Sequence, residues 1–448
     1  MLVFVVESSA YFGVLTLMAE FLSRDLGFGD AWAGPIVSTF TMLVTLFMLG
    51  VGSYAESFGL RRALLAALAL CVVGRTLYCM TPWVGGAGAA LLAVVLGALL
   101  ITALGEAIVM PVCYSGAKQY SDERTNSMAY GLMYAFMNAG IVGMGAISAW
   151  VRPGVQKNLD ALAAGAPPPA AELTFFSGFT ASGIQAVNWV CAATTAFTLV
   201  LFFVLMRRRV EGDKIRPDDP AALRAASGTP LLTRMAAYFR SGPFADARFL
   251  FFIFMLLPVR TMFAHQWLTM PSYILRAYPQ GVADRMEWLV NWINPAIIFV
   301  GVPIATAFTR RINVYTMMII GTFVSAAPTF LLCQGPALGP LIAYFVIFSI
   351  GEALWSARFL EYASELAPPG RVAQYMGLAN IPWLLAKGTT GFYSGYLLNS
   401  YCPADTPQAE LQTHMLWLIY GCIAMLSPIG LLLARRWVMK GFAQHAAK

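Results

Sequence analysis

Nine ionisable side chains lie inside long apolar stretches of the sequence. They are Glu7, Arg75, Glu106, Arg260, His265, Glu352, Arg358, Glu361 and Lys387. A charge at the centre of a membrane helix costs roughly 2.5–3.5 kcal/mol on insertion scales, so such a group usually faces a cavity or a partner. Groups of this kind can carry a proton, hold a charged solute or lock two helices together.

The first of these groups are predicted to act in pairs. Glu7 and Tyr11 are four residues apart and therefore share one face of a helix. We interpret them as a pair that lines a cavity; the alternative is that Glu7 lies close enough to the N-terminus to reach water. Glu106 is predicted to pair with Arg75 of the neighbouring span, either as structural neutralisation or as part of a substrate site.

Arg260 and Glu352 lie near the middle of two spans in the second half of the chain, and a family resemblance carried by Gly351-Glu352 implies that the two face each other as an ion pair. A carboxylate beside an arginine stays ionised until something competes for the arginine. Protonation of Glu352, or binding of a substrate to Arg260, would then release the pair and let the helices move. The alternative is a purely structural ion pair. His265 lies on a different face of the span from Arg260 and is expected to be a packed residue rather than a proton carrier.

The remaining charges inside spans are predicted to gate or to neutralise. At 100° per residue, Arg358 and Glu361 lie on the helix face opposite Glu352, which indicates an inner gate or a packing lock. Lys387 shares a face with Trp383. It is expected either to neutralise a glutamate of the tenth span or to meet an anionic substrate.

The elements that must position these groups are hydrophobic helices. Of the 448 residues, 59% are hydrophobic and 11% are charged, and the mean hydropathy is +0.68, whereas soluble domains average about a quarter charged residues. A run of about 20 apolar residues crosses a membrane as a helix, because lipid cannot satisfy a bare backbone. We predict twelve spans, at residues 1–22, 34–56, 62–82, 88–115, 127–151, 186–207, 248–275, 288–308, 313–334, 337–364, 372–400 and 414–436.

Several classes of function are not indicated. The sequence has no P-loop, HExxH or GxSxG motif, so neither an enzyme nor an ATP-driven pump is predicted. The seven cysteines are dispersed without metal-ligand spacing, and no cofactor or metal is expected. The formal net charge of +7 comes mostly from residues between spans, which topology explains better than nucleic-acid binding.

Lysine and arginine are distributed unevenly over the loops. With the N-terminus in the cytoplasm, inward-facing loops carry 20 of these residues and outward-facing loops carry five. This bias predicts that both termini are cytoplasmic, and we expect a multi-pass protein of the plasma membrane rather than of an organelle. A long polar insert from Arg152 to about Gln185 is expected to be an exposed outer loop.

The chain divides into two halves that repeat each other. A polar stretch rich in Arg, Asp and Pro predicts an N-terminal six-helix bundle at 1–207, a cytoplasmic linker at 208–247 and a C-terminal six-helix bundle at 248–448. The tripeptide Gly105–Ala107 in the fourth span recurs as Gly351–Ala353 in the tenth. Internal repeats of this kind are typical of transporters.

The loop after the second span carries a recognisable motif. Residues 52–62 read GSYAESFGLRR, which resembles the signature of the major facilitator superfamily: a glycine, an acid, a second glycine and paired arginines. Glu56, Arg61 and Arg62 would form a charge network that opens as the halves rock.

Three patches are similar to motifs of the proton-dependent oligopeptide transporter (POT) family. They are residues 7–13 (ESSAYFG), residues 134–140 (YAFMNAG), which include Asn138, and the tenth span from Gly351-Glu352 onward. The family's charged positions are partly lost, because Phe4 and Ser8 replace an acid and an arginine of the first span. Met110 stands where that family has a lysine. The sequence therefore indicates a divergent relative.

The resemblance implies twelve transmembrane helices in two six-helix bundles and transport by alternating access. We predict a secondary transporter of a small polar or charged solute (peptide-like, amino-acid-like or an organic anion), coupled to protons. Two alternatives stay open: an uncoupled facilitator or exchanger, and a non-transporting membrane sensor with the same fold. The expected partners are a small-molecule substrate, protons and the lipid bilayer, and the expected functional unit is a monomer. The candidate substrate and proton-coupling residues are Glu7, Tyr11, Glu106, Asn138, Arg260 and Glu352.

Overall fold

A computed structural model of the chain describes residues 2–58, 60–84, 88–119, 126–206, 247–309, 312–365 and 381–446. Its long helices, numbered in chain order, are α1 Leu2–Glu20, α2 Asp30–Phe58, α3 Leu60–Cys79, α4 Ala89–Gln119, α5 Asn126–Ala163, α6 Gly183–Leu205, α7 in three segments (Ala247–Met255, Leu257–Leu268 and Met270–Ala277), α8 Met286–Thr309, α9 Val314–Ala326, α10 Leu338–Glu365, α11 Ile381–Tyr401 and α12 Thr413–Ala446. A π-helical turn, Phe21–Asp25, continues α1, and a 3-10 helix, Ala327–Gln334, continues α9.

The helices have the length and composition of membrane spans. Over the described residues, nine helices are long and apolar enough to cross a membrane, and α8 contains a shorter apolar stretch, Met286–Val302. The predicted all-α membrane architecture is confirmed. The predicted spans correspond to the helices in order, and most of their ends differ by a few residues.

Helix α5 corrects the prediction of an outer loop that begins at Arg152. The helix runs on to Ala163, since Arg152 does not leave the protein but turns inward and is only 8% exposed. Gly165 follows the end of the helix, and its φ of +71° suits glycine. Ala166 N–H then bonds to the carbonyl of Ala161 at 2.8 Å, as in a Schellman cap.

Helix α7 is interrupted twice along its length. The breaks fall at Leu256 and Thr269, and each of the following segments has a proline at its second position, Pro258 and Pro271. Proline lacks an N–H donor and so disrupts the regular bonding of the preceding turn. The middle segment of α7 therefore has ends that are not continuous with its neighbours.

Helices from the two halves of the sequence approach each other closely through glycines. Gly391 on α11 donates its backbone N–H to the Ser38 hydroxyl on α2 at 2.8 Å. A Cβ added at Gly391 would lie 2.6 Å from Cβ of Ser38, and one at Gly34 would lie 3.1 Å from the nitrogen of Gly395. Small residues permit this backbone-to-backbone approach of membrane helices.

The predicted division of the chain stays a prediction. Residues 207–246 lie outside the described residues, and they include nearly all of the predicted linker. The first described residue after them, Ala247, begins α7, one residue before the predicted start of the second bundle.

Candidate functional site

Three charged side chains meet inside the first six helices. Arg75 of α3 lies between Glu7 of α1 and Glu106 of α4, with its Nη1 2.9 Å from Oε1 of Glu7 and its Nη2 bonded to Oε1 of Glu106. Arg75 also donates to the hydroxyl of Thr195 on α6. We call Glu7, Arg75 and Glu106 the triad. The exposed fractions are 0% for Glu7, 2% for Arg75 and 7% for Glu106, so the triad is shut off from water.

Glycine packing between α3 and α4 brings the triad together. A Cβ added at Gly74 would lie 2.7 Å from the backbone nitrogen of Thr102, and one at Gly105 would lie 2.7 Å from the carbonyl oxygen of Ala67. Contacts that close are available to glycine alone. The two helices therefore pack tightly at the residues that immediately precede Arg75 and Glu106.

The triad holds more acid than base. Two carboxylates face one guanidinium, and the sulfur of Cys71 lies within 4.8 Å of both. Because an unbalanced charge is expensive in an apolar interior, the arrangement is electrically neutral when one carboxyl group carries a proton. The predicted pairing of Glu106 with Arg75 is confirmed. The alternative that Glu7 reaches water is wrong.

Tyr11 follows the triad along α1. It lines a small cavity together with Phe40, Arg75 and Tyr78, and its ring centroid lies 6.1 Å from that of Phe40 on α2. The predicted position of Tyr11 at a cavity is thus confirmed. Glu7 is not among the residues that line this cavity; it contacts the cavity-lining Arg75, so the predicted cavity pair is seen only for Tyr11.

The predicted Arg260–Glu352 ion pair is not formed. Glu352 instead accepts a hydrogen bond from Nδ2 of Asn294 on α8 at 2.7 Å, and Arg260 lies over the ring of Phe359, 4.2 Å from its centroid. Trp355 and Phe359 lie one and two turns beyond Glu352 on α10. Their rings occupy the surface that Arg260 faces, and Glu352 is turned toward α8.

Lys387 on α11 points toward the other half of the protein. Its Nζ lies 5.1 Å from the ring centroid of Trp383 and donates to the hydroxyl of Thr45 on α2 at 3.3 Å. The shared face with Trp383 is confirmed. The expected neutralisation of a glutamate of the tenth span is not seen at Glu352, since that carboxylate is bonded to Asn294, and the side chain of Glu361 lies outside the described part of the chain.

A buried cluster of charges, which we call the gate cluster, joins α7 to α1 and α2. Arg276 donates to Asp30 at 2.5 and 2.7 Å and to Glu20 at 3.0 Å. The Ser23 hydroxyl also donates to Asp30 at 2.5 Å. Arg276 is 6% exposed, Glu20 1% and Asp30 5%, so the gate cluster, like the triad, is closed to water.

A second connection joins α5 to α8 at the same end of the protein. Arg152 bonds to both oxygens of Glu287, at 3.0 Å from Nη2 to Oε2, and to the carbonyl of Ala283 at 2.7 Å. Outside it, Lys157 pairs with Asp284 at 2.7 Å. Burial alone would raise the pKa of Asp284, but the hydrogen bonds from Lys157 and Gln280, together with the charges of Lys157 and Arg152, outweigh burial and hold the pKa below its ordinary value.

Sequence reasoning missed the gate cluster and the Arg152–Glu287 pair. Arg152 and Arg276 were counted as outer-loop charges, which treats them as solvated. The available signal was the set of acids at the same predicted membrane boundary, Glu20, Asp30 and Glu287. These three acids face two buried arginines there, but nothing in the sequence pairs them.

The other candidate residues have varied positions. Asn138 is buried on α5 at 6% exposure, and its role stays a prediction. Arg61 donates to the carbonyl of Met206 at 2.5 Å and lies 5.6 Å from the ring centroid of Phe203. Arg62 is exposed. The side chains of Glu56, Arg358 and Glu361 lie outside the described part of the chain, so their predicted charge networks stay untested.

His265 has the packed environment expected for it. Its ring stacks on that of Tyr420, with 3.8 Å between centroids. Its nitrogens lie 2.9 Å from the Thr269 hydroxyl and 3.2 Å from the Tyr393 hydroxyl. Both nitrogens have polar neighbours, and the residue is fully buried.

Both the sequence and the fold of this chain are similar to those of known proteins. The sequence model of the Major Facilitator Superfamily matches residues 1–391, and no curated protein matches the chain. A POT family transporter in complex with a thioalcohol-conjugated peptide superposes with a TM-score of 0.69 at 14% identity, covering 97% of this chain and 95% of that one. A bacterial homologue of the human drug peptide transporters PepT1 and PepT2 gives 0.68 at 18% identity over 98% and 97% of the two chains. The nucleoside transporter NupG gives 0.68 at 13% identity over 96% and 98%.

These likenesses agree with what the sequence motifs indicated. The structural neighbours include POT family transporters at low identity, as expected for a divergent relative, and the predicted major facilitator fold is confirmed. The match of the family over residues 1–391 establishes that this chain belongs to the major facilitator superfamily.

Proposed function

We propose that the protein is a proton-coupled secondary transporter that moves a small polar or charged solute by alternating access. The solute class is peptide-like, amino-acid-like or an organic anion. The observation that supports proton coupling is the composition of the triad. Two buried carboxylates share one buried guanidinium, so the site is neutral with one bound proton and carries an excess negative charge without it.

In this proposal the triad binds the coupling proton, and loss of that proton changes how strongly the helices are held together. Without the proton, Arg75 of α3 is bonded to two charged carboxylates, Glu7 of α1 and Glu106 of α4, and it holds the three helices tightly together. With the proton bound, one carboxyl group is a weaker partner for Arg75, and its helix is freer to move. Proton binding thus changes how strongly three helices are held to one another.

Helix α1 links the triad to the gate cluster. Glu7 and Glu20 both belong to α1, and thirteen residues of helix span about 20 Å. A rigid helix of this length transmits a tilt from one cluster to the other. Release of Glu7 from Arg75 would therefore weaken the bond between Glu20 and Arg276.

The proposed cycle opens and closes the end that carries the gate cluster. The positive-inside prediction places that end on the outer side of the plasma membrane, with both termini in the cytoplasm. The gate cluster and the Arg152–Glu287 pair would then seal the transporter from the outside in this conformation. The proposed functional unit is a monomer.

Uptake into proteoliposomes tests the proposal. A mixed pool of peptides, amino acids and organic anions is offered with and without an inward proton gradient, to wild type, Glu106→Gln and the control Glu172→Gln, which changes an exposed acid. We expect gradient-driven accumulation by wild type and the control, and its loss in Glu106→Gln. Equal uptake with and without the gradient would leave a facilitator, and no uptake from a broad pool would favour the sensor.

A further inference from the structure

Arg260 is a buried cation that has no carboxylate partner among the described residues. Only 7% of the residue is exposed, and its contacts in the described part of the chain are with two rings, at 4.2 Å to the Phe359 centroid and 5.7 Å to that of Trp355. Its Nε is buried and has no hydrogen-bond partner. Because buried charges are normally paired and hydrogen-bonded, this arginine lacks the anion that its environment requires.

A row of aromatic rings leads from Arg260 across to α11. Phe263 and Trp267 lie three and seven residues after Arg260, on the same face of α7. The Phe263 centroid lies 5.8 Å from that of Trp355 and 6.0 Å from that of Trp383, and Trp267 lies 6.2 Å from Trp383. Phe263, Trp267 and Trp383 are half-buried, so their faces are not fully used by packing within the protein.

Lys387 lies at the far end of this row. Its ammonium group approaches the ring of Trp383 to 5.1 Å, and its hydrogen bond goes to the neutral hydroxyl of Thr45. The carboxylate of Glu352 is bonded to Asn294 instead. Two cations therefore flank one aromatic surface, and no described acid is paired with either.

We propose that Arg260, Lys387 and the rings between them form a subsite for an aromatic carboxylate, which is the solute carried or a part of it. This inference rests on the proposed transport function and narrows its substrate class. The carboxylate supplies the missing partner of Arg260, and Lys387 adds a second positive charge. The ring of the solute packs against Phe263, Trp267 and Trp383 in offset or edge-to-face contact.

Both the two cations and the aromatic rings are needed to select an aromatic carboxylate. An anion without a ring would neutralise Arg260 but leave the half-buried aromatic faces unused. A neutral aromatic compound would pack on those faces but leave the guanidinium without an anion, at the full cost of an unmatched buried charge. A flat aromatic anion matches both parts of the surface.

The test measures binding of indole-3-propionate to the purified full-length protein in detergent, by isothermal titration calorimetry and without a proton gradient. Indole-3-propionamide keeps the ring and removes the charge, and cyclohexanepropionate keeps the charge and removes the aromatic ring. We expect the acid to bind about tenfold more tightly than either analogue. Equal affinity for the acid and the amide, or no binding of the acid to wild type, overturns the proposal.

Substitutions locate the binding. Arg260→Gln is expected to weaken binding of the acid about a hundredfold and Lys387→Met about tenfold, whereas Arg436→Gln, at an exposed arginine of α12, leaves it unchanged. Arg260→Lys keeps the charge but not the planar fork of donors, and we expect it to bind about tenfold more weakly than wild type. If Arg260→Lys and Lys387→Met both bind the acid with wild-type affinity, the proposed subsite is contradicted. This outcome can be read even if Arg260→Gln does not fold.

The binding assay and the uptake assay can fail separately. Binding that follows the expected pattern, with uptake indifferent to the proton gradient, would refute proton coupling and support the subsite. Proton-driven uptake of other solutes, with no binding of the acid, would refute the subsite and support the coupling.

Discussion

Arg276 and Glu20 connect α7 to α1 across the two halves of the chain, with 3.0 Å between Nη2 and Oε2 and both side chains almost completely buried. Asp30 of α2 bonds to the same guanidinium. The gate cluster is thus a buried charge network between elements that are separated by more than two hundred residues of sequence. Removing one charged partner from such a network lowers the free energy of unfolding.

Arg276→Gln is expected to open the gate end. The substitution leaves Asp30 without its cation and leaves Glu20 with only the half-exposed Arg24, at 3.4 Å, and the two acids then repel each other. The readout is the rate at which a membrane-impermeant maleimide labels a cysteine that replaces Asn291. In the native protein, Asn291 accepts a hydrogen bond from Thr16 beneath the gate. We expect labelling about tenfold faster than in the parent. Arg285→Gln, at an exposed arginine of the same region, is the control and should label at the parent rate; equal rates in all three proteins would contradict the gate assignment.

The Arg152–Glu287 pair is expected to contribute more to stability than the neighbouring Lys157–Asp284 pair. Arg152→Gln leaves Glu287 buried and unpaired and should cost about 3–5 kcal/mol of unfolding free energy. Lys157 is exposed, and Lys157→Gln should cost at most about 1 kcal/mol. Unfolding by sodium dodecyl sulfate measures both, and a Lys157→Gln effect as large as that of Arg152→Gln would refute the ranking.

The pH dependence of the Lys157–Asp284 pair has a defined direction. The pKa of Asp284 is held below its ordinary value of 3.8, so the pair stabilises the folded state above that value and loses this contribution as pH falls through the lower, folded-state pKa. We expect wild type to be slightly more stable than Asp284→Asn from pH 5 to 8. The difference should disappear below about pH 3; a difference that grows as the pH falls would show that the sign is wrong.

Removal of one acid from the triad should change stability little, whereas removal of both should destabilise the protein strongly. Glu7→Gln or Glu106→Gln leaves one carboxylate for Arg75, so each single variant is neutral and is expected to fold with a stability within about 1 kcal/mol of wild type. The double variant strands the buried arginine and should lose about 3–5 kcal/mol. Thermal unfolding in detergent gives the comparison, and additive small losses in the double variant would show that Arg75 does not depend on these acids.

Gly391→Ala tests the close approach of α2 and α11. The added methyl group meets Ser38 at 2.6 Å from Cβ to Cβ and cannot be accommodated without moving a helix, which should cost about 1–3 kcal/mol. The same substitution at Gly97 of α4, where a Cβ would meet nothing within 4 Å, should be neutral or stabilising by up to about 1 kcal/mol. Unfolding in detergent compares the two, and similar effects at both positions would exclude a packing cause.

Hydropathy predicted the helices well because long apolar runs leave few alternatives in lipid. It fails at Arg152, because an arginine after an apolar run predicts a membrane boundary, whereas the charge of Arg152 is satisfied by Glu287 inside the protein. The position of a helix in the membrane is visible in the sequence, but the partner of a buried charge is not when it comes from the other half of the chain.

The candidate site was predicted in part for a similar reason. The pairing of Arg75 with Glu106 followed from two charges in neighbouring spans, which had few other partners. The pairing of Arg260 with Glu352 failed because the bulky rings of Trp355 and Phe359 decide which side of α10 faces α7. Residue spacing gives the relative angles of side chains on one helix, whereas packing sets the rotation of that helix against its neighbours.

The two interruptions of α7 separate Arg260 from Arg276. The middle segment, Leu257–Leu268, carries Arg260, and the last segment, Met270–Ala277, carries Arg276. A continuous helix would force these arginines to move as one body, but a helix broken at Thr269 lets its end swing while its middle stays in place. In the proposed cycle, the gate cluster can therefore close while a solute is still bound at Arg260, and this order of events would give an occluded state that is open to neither side of the membrane.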